Sequence, residues 1–247
     1  MTAAEHASTA TESNWITRDY HAAAELAQAI ADALRAAISA RGQALLAVSG
    51  GKSPLALFAA LREQELPWEQ VTVLLADERC VPLDHADSNS ALVRDHLLQG
   101  RAAAASWQPF FGQLPSADSA DWSDAELDAL AGAANDRLAA LPWPLDVLVL
   151  GMGEDGHTAS LFPASPGLED ALHSSARVAW VRPVAAAHAR LTLTLPTLLE
   201  AGAVFLPLAG PAKLAVFARA SESPQTELPI SLVLHGARHP VQVWLTP

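Results

Sequence analysis

The chain has 247 residues, of which 51% are hydrophobic, and a formal net charge of −12 at pH 7. This length and apolar content allow a large core in one or two domains. The acidic balance argues against nucleic acids and anionic membranes as partners, because no surplus of basic residues exists to neutralise phosphates. A single cysteine, Cys80, excludes an internal disulfide and fits the reducing conditions of the cytoplasm.

Residues 1–14 are small and polar, without the basic and apolar regions of a signal peptide, and we expect them to form a disordered tail. Apolar residues at helical spacing then predict a helix over 20–40. A second helix is predicted after a short apolar run, with Ser53 as its cap and Pro54 in its first turn. We expect residues 15–247 to form a single domain.

From residue 44 onward, apolar runs of strand length alternate with helical segments, and none is long and uninterrupted enough to span a membrane. The predicted strands are 44–48, 71–75, 107–111, 145–150, 179–181, 191–195, 204–208 and 241–245. The alternating run 191–195 predicts a half-buried strand or the lead-in to one, and 241–245 is expected to close the sheet. Further helices are predicted at 88–98, 124–140 and 211–220, whereas 230–234 fits either a helix or a strand. This alternation predicts a doubly wound α/β unit with a mostly parallel sheet flanked by helices.

The first loop with chemical character is Ser49-Gly50-Gly51-Lys52-Ser53. Glycines that turn the chain into a helix expose backbone N–H groups, which favours binding of a phosphate. The spacing of a P-loop is missing, so a tight turn followed by a helix cap is the alternative.

The second loop, Asp77-Glu78-Arg79, places three charges directly after an apolar strand. Arg79 is suited to an anionic substrate, and the carboxylates are suited to hydroxyls or to orienting partners. A solvated turn with an ion pair is the alternative.

The third loop runs from Gly151 to His157, at the carboxyl end of a predicted strand, where open α/β sheets bind ligands. The imidazole of His157, two residues from Asp155, has a reference pKa of about 6.5 and suits proton transfer near neutral pH. A structural hydrogen bond is the alternative role for a lone histidine. The glycine spacing formally matches a dinucleotide fingerprint, but prolines soon afterwards cut short the helix that such a site needs.

The fourth region carries two cations, Arg190 and Lys213, next to apolar strands. Lys52 is the only other lysine in the chain, so a lysine that interrupts an apolar segment favours a functional role over simple solvation. No metal site is predicted, because the glycine and proline that follow His235 and His239 prevent a helical ligand pair.

Four segments match one known family in their order and spacing. They are Ser49-Gly-Gly-Lys-Ser-Pro54, Asp77-Glu-Arg-Cys-Val-Pro82 with Ser88-Asn89, Gly151-Met-Gly-Glu-Asp-Gly-His-Thr-Ala-Ser-Leu-Phe-Pro163, and Arg190 through Lys213. With these motifs the chain resembles the 6-phosphogluconolactonases over residues 16–245. The resemblance implies a Rossmann-like α/β fold of the sugar-phosphate isomerase type. It also implies hydrolysis of 6-phospho-D-glucono-1,5-lactone to 6-phosphogluconate in the oxidative pentose phosphate pathway, without a cofactor.

The resemblance implies that His157 takes a proton from the water that attacks the lactone carbonyl carbon C1. Asp155 orients His157 or the water, and Gly156 permits a close approach of the ligand. Arg79 is assigned either to the phosphate or to the developing oxyanion. The residues implied in binding the substrate and its phosphate are Ser49, Gly50, Gly51, Lys52, Asp77, Gly156, Arg190 and Lys213.

Glucosamine-6-phosphate isomerases or deaminases, which are related to this family, are the first alternative. They have Tyr where Arg79 stands, and where Phe162 stands they have a Glu that acts with the His in ring opening. Phe162 cannot carry a proton, which favours the lactonase. A non-catalytic sugar-phosphate-binding module is the second alternative. The expected partner is a small phosphorylated sugar lactone, and we expect a cytoplasmic monomer or weak homodimer.

Overall fold

The computed structural model describes residues 13–51, 53–112, 114 and 122–246. In this part of the chain the strands are β1 (Trp15–Asp19), β2 (Ala44–Val48), β3 (Val71–Leu75), β4 (Asp77–Arg79), β5 (Ser106–Gln108), β6 (Val147–Val149), β7 (Val178–Val181), β8 (Arg190–Leu193), β9 (Ala203–Ala209) and β10 (Val241–Thr246). The α-helices are α1 (Ala23–Arg41), α2 (Leu55–Leu61), α3 (Asn89–His96), α4 (Asp124–Leu138), α5 (Leu168–His173), α6 (Leu195–Leu199), α7 (Pro211–Ala220) and α8 (Pro229–Gly236).

Seven strands form one sheet in the order β1-β10-β9-β6-β2-β3-β5, and all neighbouring strands in it are parallel. Its central strands β2 and β6 are buried along their whole length, as expected when helices cover a parallel sheet. The predicted doubly wound, mostly parallel α/β fold is therefore confirmed. The chain places β3 and β5 on one side of β2, and β6, β9 and β10 on the other. A crevice is expected where this order reverses, between the carboxyl ends of β2 and β6.

A second, antiparallel sheet contains β4, β8 and β7, and the sequence did not predict it. β4 is the charged segment that was expected to be a loop, and Asp77 and Glu78 are buried in it. Buried carboxylates are tolerated here because internal donors bind them. β8 confirms a strand in the region predicted at 191–195, but it is buried throughout, so the expected half-burial is wrong. The Thr192 hydroxyl is satisfied inside the protein, since it accepts from the Ser160 N–H and donates to a carbonyl.

The edge strand β1 was also missed. Most of its residues are exposed, so no buried apolar pattern marks it in the sequence. Because β1 pairs with β10, the prediction that 241–245 closes the sheet is wrong. Asn14, the last residue of the predicted tail, bonds to Ala237 and Val241, while residues 1–12 lie outside the described part of the chain.

The helix after β2 begins one residue later than predicted. Pro54 occupies its N-cap position and no side chain caps it, so the prediction of Ser53 as the cap is wrong. The ambiguous segment 230–234 lies within the helix α8. Among the described residues, the structure contains no helix with the length and apolar character needed to cross a bilayer.

Candidate active site

A cavity of about 310 Å³ lies in the crevice at the carboxyl ends of β2 and β6. Residues of β4, β8 and α7 complete its wall. The cavity is lined by eight residues that the sequence assigned to the site: Ser49, Gly50, Gly51, Asp77, Arg79, His157, Arg190 and Lys213. Asp155 and Gly156 lie outside this lining, and Lys52 lies outside the described residues.

His157, which lines the cavity, forms a hydrogen-bonded pair with Asp155. Nδ1 of His157 lies 2.5 Å from Oδ1 of Asp155, and the His157 main-chain N–H donates to the same oxygen at 3.2 Å. A carboxylate can only accept, so in the neutral imidazole Nδ1 carries the proton and Nε2 carries the free lone pair. The Asp155 carboxylate therefore fixes the tautomer of the imidazole, whose side chain is 28% exposed.

Gly153 makes room for this pair. A Cβ atom at Gly153 would lie 2.2 Å from Nδ1 of His157 and 2.4 Å from Oδ1 of Asp155. The Gly153 N–H also donates to the His157 carbonyl at 2.9 Å, which closes the loop. A side chain at this position would displace the imidazole, the carboxylate or both.

Gly156 has a different place from the one that the sequence predicted. Its φ is 80°, and a Cβ atom there would lie 2.6 Å from the side chain of Leu228. Its carbonyl accepts the N–H of Ile230 at 3.0 Å. The close approach at Gly156 is therefore to the start of α8 and not to a ligand in the cavity.

Phe162 supports the His157 imidazole from one face. The two rings are stacked, with centroids 4.0 Å apart and an interplanar angle of 21°. Phe162 is almost fully buried, and the guanidinium carbon of Arg190 lies 4.9 Å from its ring centroid. The sequence identified Phe162 only as the residue that replaces an acid of the isomerases, because stacking between side chains leaves no local pattern.

Two arginines lie side by side in the second sheet. Arg79 of β4 and Arg190 of β8 are direct cross-strand partners, and both line the cavity. Like charges opposite each other on a sheet are unfavourable unless an anion or a carboxylate compensates them. The Arg79 guanidinium donates to the Asp87 carbonyl at 2.6 Å. This geometry favours binding of an anion between or beside the two guanidinium groups.

Asp77 offsets part of this positive charge. Its Oδ2 lies 3.7 Å from Arg190 and accepts a hydrogen bond from the Ser160 hydroxyl at 2.6 Å. Burial lowers the pKa of the Arg190 guanidinium below its usual value, whereas the charge of Asp77 acts in the opposite direction. A guanidinium stays protonated in proteins, so Arg190 remains a buried cation with Asp77 as a carboxylate partner.

Glu78 positions the residues around it instead of lining the cavity. Its carboxylate accepts the main-chain N–H groups of Arg79, Asn89 and Ser90 at 2.7 to 2.8 Å, and so joins β4 to the start of α3. Burial raises the pKa of this carboxyl above its usual value, although the accepted hydrogen bonds oppose the shift. Of the two roles that the sequence offered for the carboxylates of this triplet, Glu78 has the orienting one.

Four buried side-chain atoms of lining residues have no hydrogen-bond partner within the described chain. They are Ser49 Oγ, Arg79 Nε, Asn89 Oδ1 and Arg190 Nε. Buried polar atoms are nearly always paired, so a cluster of unpaired ones at a cavity indicates a ligand that supplies the partners. Asn89 is the one member of this set that the sequence did not assign to the site, although it lies in the Ser88-Asn89 motif.

A cluster of two histidines and an aspartate lies beside Arg79. His188 Nε2 is 3.0 Å from the Asp87 carboxylate, and the Asp87 N–H donates to His85 Nδ1 at 3.0 Å. The hydrogen bond with His188 lowers the pKa of the Asp87 carboxyl. His85, Asp87 and His188 could each offer a metal ligand atom, a grouping that the sequence did not predict because the histidines are far apart in the chain. The Nδ1 lone pair of His85 already accepts a hydrogen bond from the Asp87 N–H. We therefore interpret the three residues as a hydrogen-bonded cluster and not as a metal site.

The comparison with known proteins agrees with this geometry. The family described as "Glucosamine-6-phosphate isomerases/6-phosphogluconolactonase" matches residues 18–244. A 6-phosphogluconolactonase of Neisseria meningitidis serogroup A is 45% identical over 227 residues, covering 90% of this chain and 94% of that protein. One of Pseudomonas putida is 45% identical over 228 residues, covering 91% and 88%. The crystal structure of a putative 6-phosphogluconolactonase from Neisseria gonorrhoeae has a TM-score of 0.84 and 41% identity, over 94% of this chain and 100% of that chain.

The fold and the cavity together define an α/β protein that has a hydrogen-bonded imidazole–carboxylate pair and clustered cations where the strand order of the sheet reverses. The chain belongs to the family of glucosamine-6-phosphate isomerases and 6-phosphogluconolactonases. The resemblance predicted from the four motifs is therefore confirmed.

Proposed function

We propose that this protein hydrolyses 6-phospho-D-glucono-1,5-lactone to 6-phospho-D-gluconate, a step of the oxidative pentose phosphate pathway. The observation that carries the proposal is the His157–Asp155 pair, whose imidazole lines the same cavity as the arginines Arg79 and Arg190. A phosphorylated lactone needs both features, because its carbonyl needs an activated water and its phosphate needs cations. The names of the relatives, which are 6-phosphogluconolactonases, support the same assignment.

His157 acts as the general base through Nε2. It takes a proton from the water that attacks C1, and a tetrahedral intermediate with a negative oxygen forms. The bond between C1 and the ring oxygen then breaks, and the imidazolium returns the proton to that leaving oxygen. Asp155 accepts the hydrogen bond from the Nδ1–H group and stabilises the imidazolium. We therefore assign Asp155 the role of orienting His157. A well-placed general base contributes about 10²- to 10⁴-fold in rate.

The phosphate binds at the other end of the cavity. We assign to it the backbone of Ser49, Gly50 and Gly51, with charge from Arg190 and Lys213. Arg79 joins this group, because its cross-strand position next to Arg190 favours a shared anion over the oxyanion at C1. Asp77 stays as the carboxylate beside Arg190, and Lys52, which follows Gly51 in the sequence, is assigned to the phosphate as the sequence predicted.

An assay with freshly prepared lactone tests the proposal. Hydrolysis followed in a pH-stat, or by coupling to 6-phosphogluconate oxidation, is expected to favour the phosphorylated lactone strongly over glucono-1,5-lactone. The variant His157→Ala is expected to bind 6-phosphogluconate normally and to lose nearly all hydrolysis. Equal rates on the two lactones would contradict the phosphate site, and an active His157→Ala would contradict the base.

The isomerase alternative makes a separate prediction, the release of ammonia from glucosamine 6-phosphate. We expect none, because the buried aromatic side chain of Phe162 occupies the position where ring opening needs an acid. A binding module without catalysis would bind 6-phosphogluconate and hydrolyse neither lactone.

The proposal extends to the organisation of the chain. We propose that residues 15–247 act as one domain, because a single cluster of buried apolar side chains runs from Leu26 to Trp244. We further propose a cytoplasmic monomer or weak homodimer that needs no cofactor, since lactone hydrolysis requires only water, a base and a stabilised oxyanion.

A further inference from the structure

We propose that Asn89 is a specificity-determining residue, whose side-chain oxygen accepts a hydrogen bond from a ring hydroxyl of the lactone. This inference rests on the proposed function, because it takes the lactone as the ligand. Asn89 is the first residue of α3, lines the cavity and is 1% exposed. It is not among the residues that the sequence assigned to the site.

The orientation of the Asn89 amide follows from its contacts. Its Nδ2 donates to the main-chain carbonyl of Asp77 at 2.8 Å. A carbonyl oxygen only accepts, so the amide nitrogen has to face Asp77 and the amide oxygen has to face the opposite side. The main-chain N–H of Asn89 donates to the Glu78 carboxylate at 2.8 Å, which fixes the residue a second time.

The side-chain oxygen of Asn89 receives no hydrogen bond from the described residues. Oδ1 of Asn89 is buried and has no hydrogen-bond partner in the part of the chain that the structure describes. It lies against Gly50, another lining residue, where a Cβ atom would be only 1.9 Å from it. Gly50 therefore leaves the space that Oδ1 occupies. A buried acceptor held rigidly at a cavity wall is a site for a donor from the ligand.

The chemical type of that donor follows from the other unpaired atoms. Arg79 Nε and Arg190 Nε are donors and match phosphate oxygens, which only accept when the phosphate is a dianion. Asn89 Oδ1 is an acceptor and would be repelled by the same oxygens. The lactone offers hydroxyl donors on C2, C3 and C4. The complementary partner of Asn89 is therefore one of these hydroxyls and not the phosphate.

A comparison of substrates and variants tests this assignment. The native enzyme and Asn89→Leu, which keeps the branched shape without the polar atoms, are assayed with the parent phosphorylated lactone and its 2-, 3- and 4-deoxy analogues. We expect Asn89→Leu to have a kcat/KM about 10- to 100-fold below the native value on the parent lactone. On the one analogue that lacks the bonded hydroxyl, the kcat/KM of this variant should be no lower than on the parent lactone. The native enzyme should lose a similar factor on that analogue.

Asn135→Leu is the matched control. The Asn135 amide also bonds to main-chain groups, at Ala131, Arg177 and Val178, but Asn135 does not line this cavity. The control is expected to lower the melting temperature and to keep the native ranking of the four lactones. This ranking separates loss of a substrate contact from loss of stability.

Three results would overturn the assignment while leaving the proposed function in place. The first is that the kcat/KM of Asn89→Leu falls by the same further factor on all three analogues. The second is that the native enzyme has the same kcat/KM on all four lactones. The second result does not depend on whether the variant folds. The third is a loss in Asn89→Leu that disappears with unphosphorylated lactones, which would assign Asn89 to the phosphate. If the native enzyme does not hydrolyse the parent lactone, the proposed function fails and the assignment fails with it.

Discussion

The ring of Phe162 lies under the imidazole of His157, with 4.0 Å between the two centroids. The same aromatic ring is within 4.9 Å of the guanidinium carbon of Arg190. One buried side chain thus contacts both the proposed base and a proposed phosphate ligand. It therefore packs against both of these side chains at once.

Replacing Phe162 with leucine is expected to lower kcat about 2- to 13-fold, because aromatic pairs contribute about 0.5–1.5 kcal/mol beyond simple burial. The measurement is the pH dependence of kcat on the phosphorylated lactone. Phe110→Leu, a change at a buried phenylalanine outside the cavity lining, should lower the melting temperature and leave kcat unchanged. An unaltered kcat and pH profile in Phe162→Leu would show that the stacking has no role in the reaction.

Replacing Asp155 with asparagine is expected to lower kcat by at least about tenfold, because the amide no longer stabilises the imidazolium. KM for the lactone should change little, since Asp155 does not line the cavity. Glu154→Gln, which changes the exposed acid next to it, is the control and should retain full activity. Equal kcat values for the two variants would contradict the orienting role.

Replacing Gly153 with alanine should separate the imidazole from its carboxylate. The added methyl would lie within 2.4 Å of both side chains, and these can move without unfolding the protein. We expect kcat to fall to about the level of Asp155→Asn, with little change in the melting temperature. Gly132→Ala, in α4 with free space around it, should instead raise stability by about 0.5–1 kcal/mol without an effect on kcat. Native kcat in Gly153→Ala would be inconsistent with the tight packing around the pair.

Replacing Lys213 with methionine is expected to raise KM for the phosphorylated lactone about tenfold, because one charge-assisted contact with the phosphate is lost. The kinetics on unphosphorylated gluconolactone should not change. Arg219→Met removes an exposed cation from the same helix and should affect neither substrate. A similar increase in KM for both lactones, or for both variants, would mean that Lys213 does not bind the phosphate.

The thiol of Cys80 is expected to resist alkylation in the native protein. Burial raises the pKa of Cys80 to about 12, so the reactive thiolate is scarce at any pH at which the protein is assayed. Labelling with iodoacetamide at pH 8 should therefore be slow in buffer and fast in concentrated urea. Fast labelling of the folded protein would show that this part of the second sheet opens readily.

Local patterns were sufficient for most of the sheet and for the loops at its carboxyl edge. The strand at 44–48 was predicted without error, and α7 likewise, because each has a clear apolar pattern with glycine or proline at its boundary. The two strands that were missed, β1 and β4, have no such pattern. β1 is mostly exposed, and β4 is made of charged residues whose burial depends on donors elsewhere in the chain.

The candidate site shows the same limit of local sequence patterns, which identify single residues but not the contacts between distant ones. His157 could be singled out because it lies in a glycine-rich loop after a predicted strand, and Arg190 and Lys213 because they are cations in or next to apolar segments. The unpaired oxygen of Asn89 could not, since its significance depends on the carbonyl of Asp77 and on the missing side chain of Gly50. The cross-strand pairing of Arg79 with Arg190 could not be predicted either, because the charged strand β4 has no periodic apolar pattern.

The adjacent guanidinium groups of Arg79 and Arg190 have a practical consequence for the choice of buffer. Two fixed positive charges in a small concave space will attract any compact dianion that is abundant in the solution. Phosphate and sulfate buffers are therefore expected to compete with the proposed substrate, and rates measured in them would understate the catalytic capacity of the protein. Zwitterionic buffers of low ionic strength are the appropriate medium for this chain.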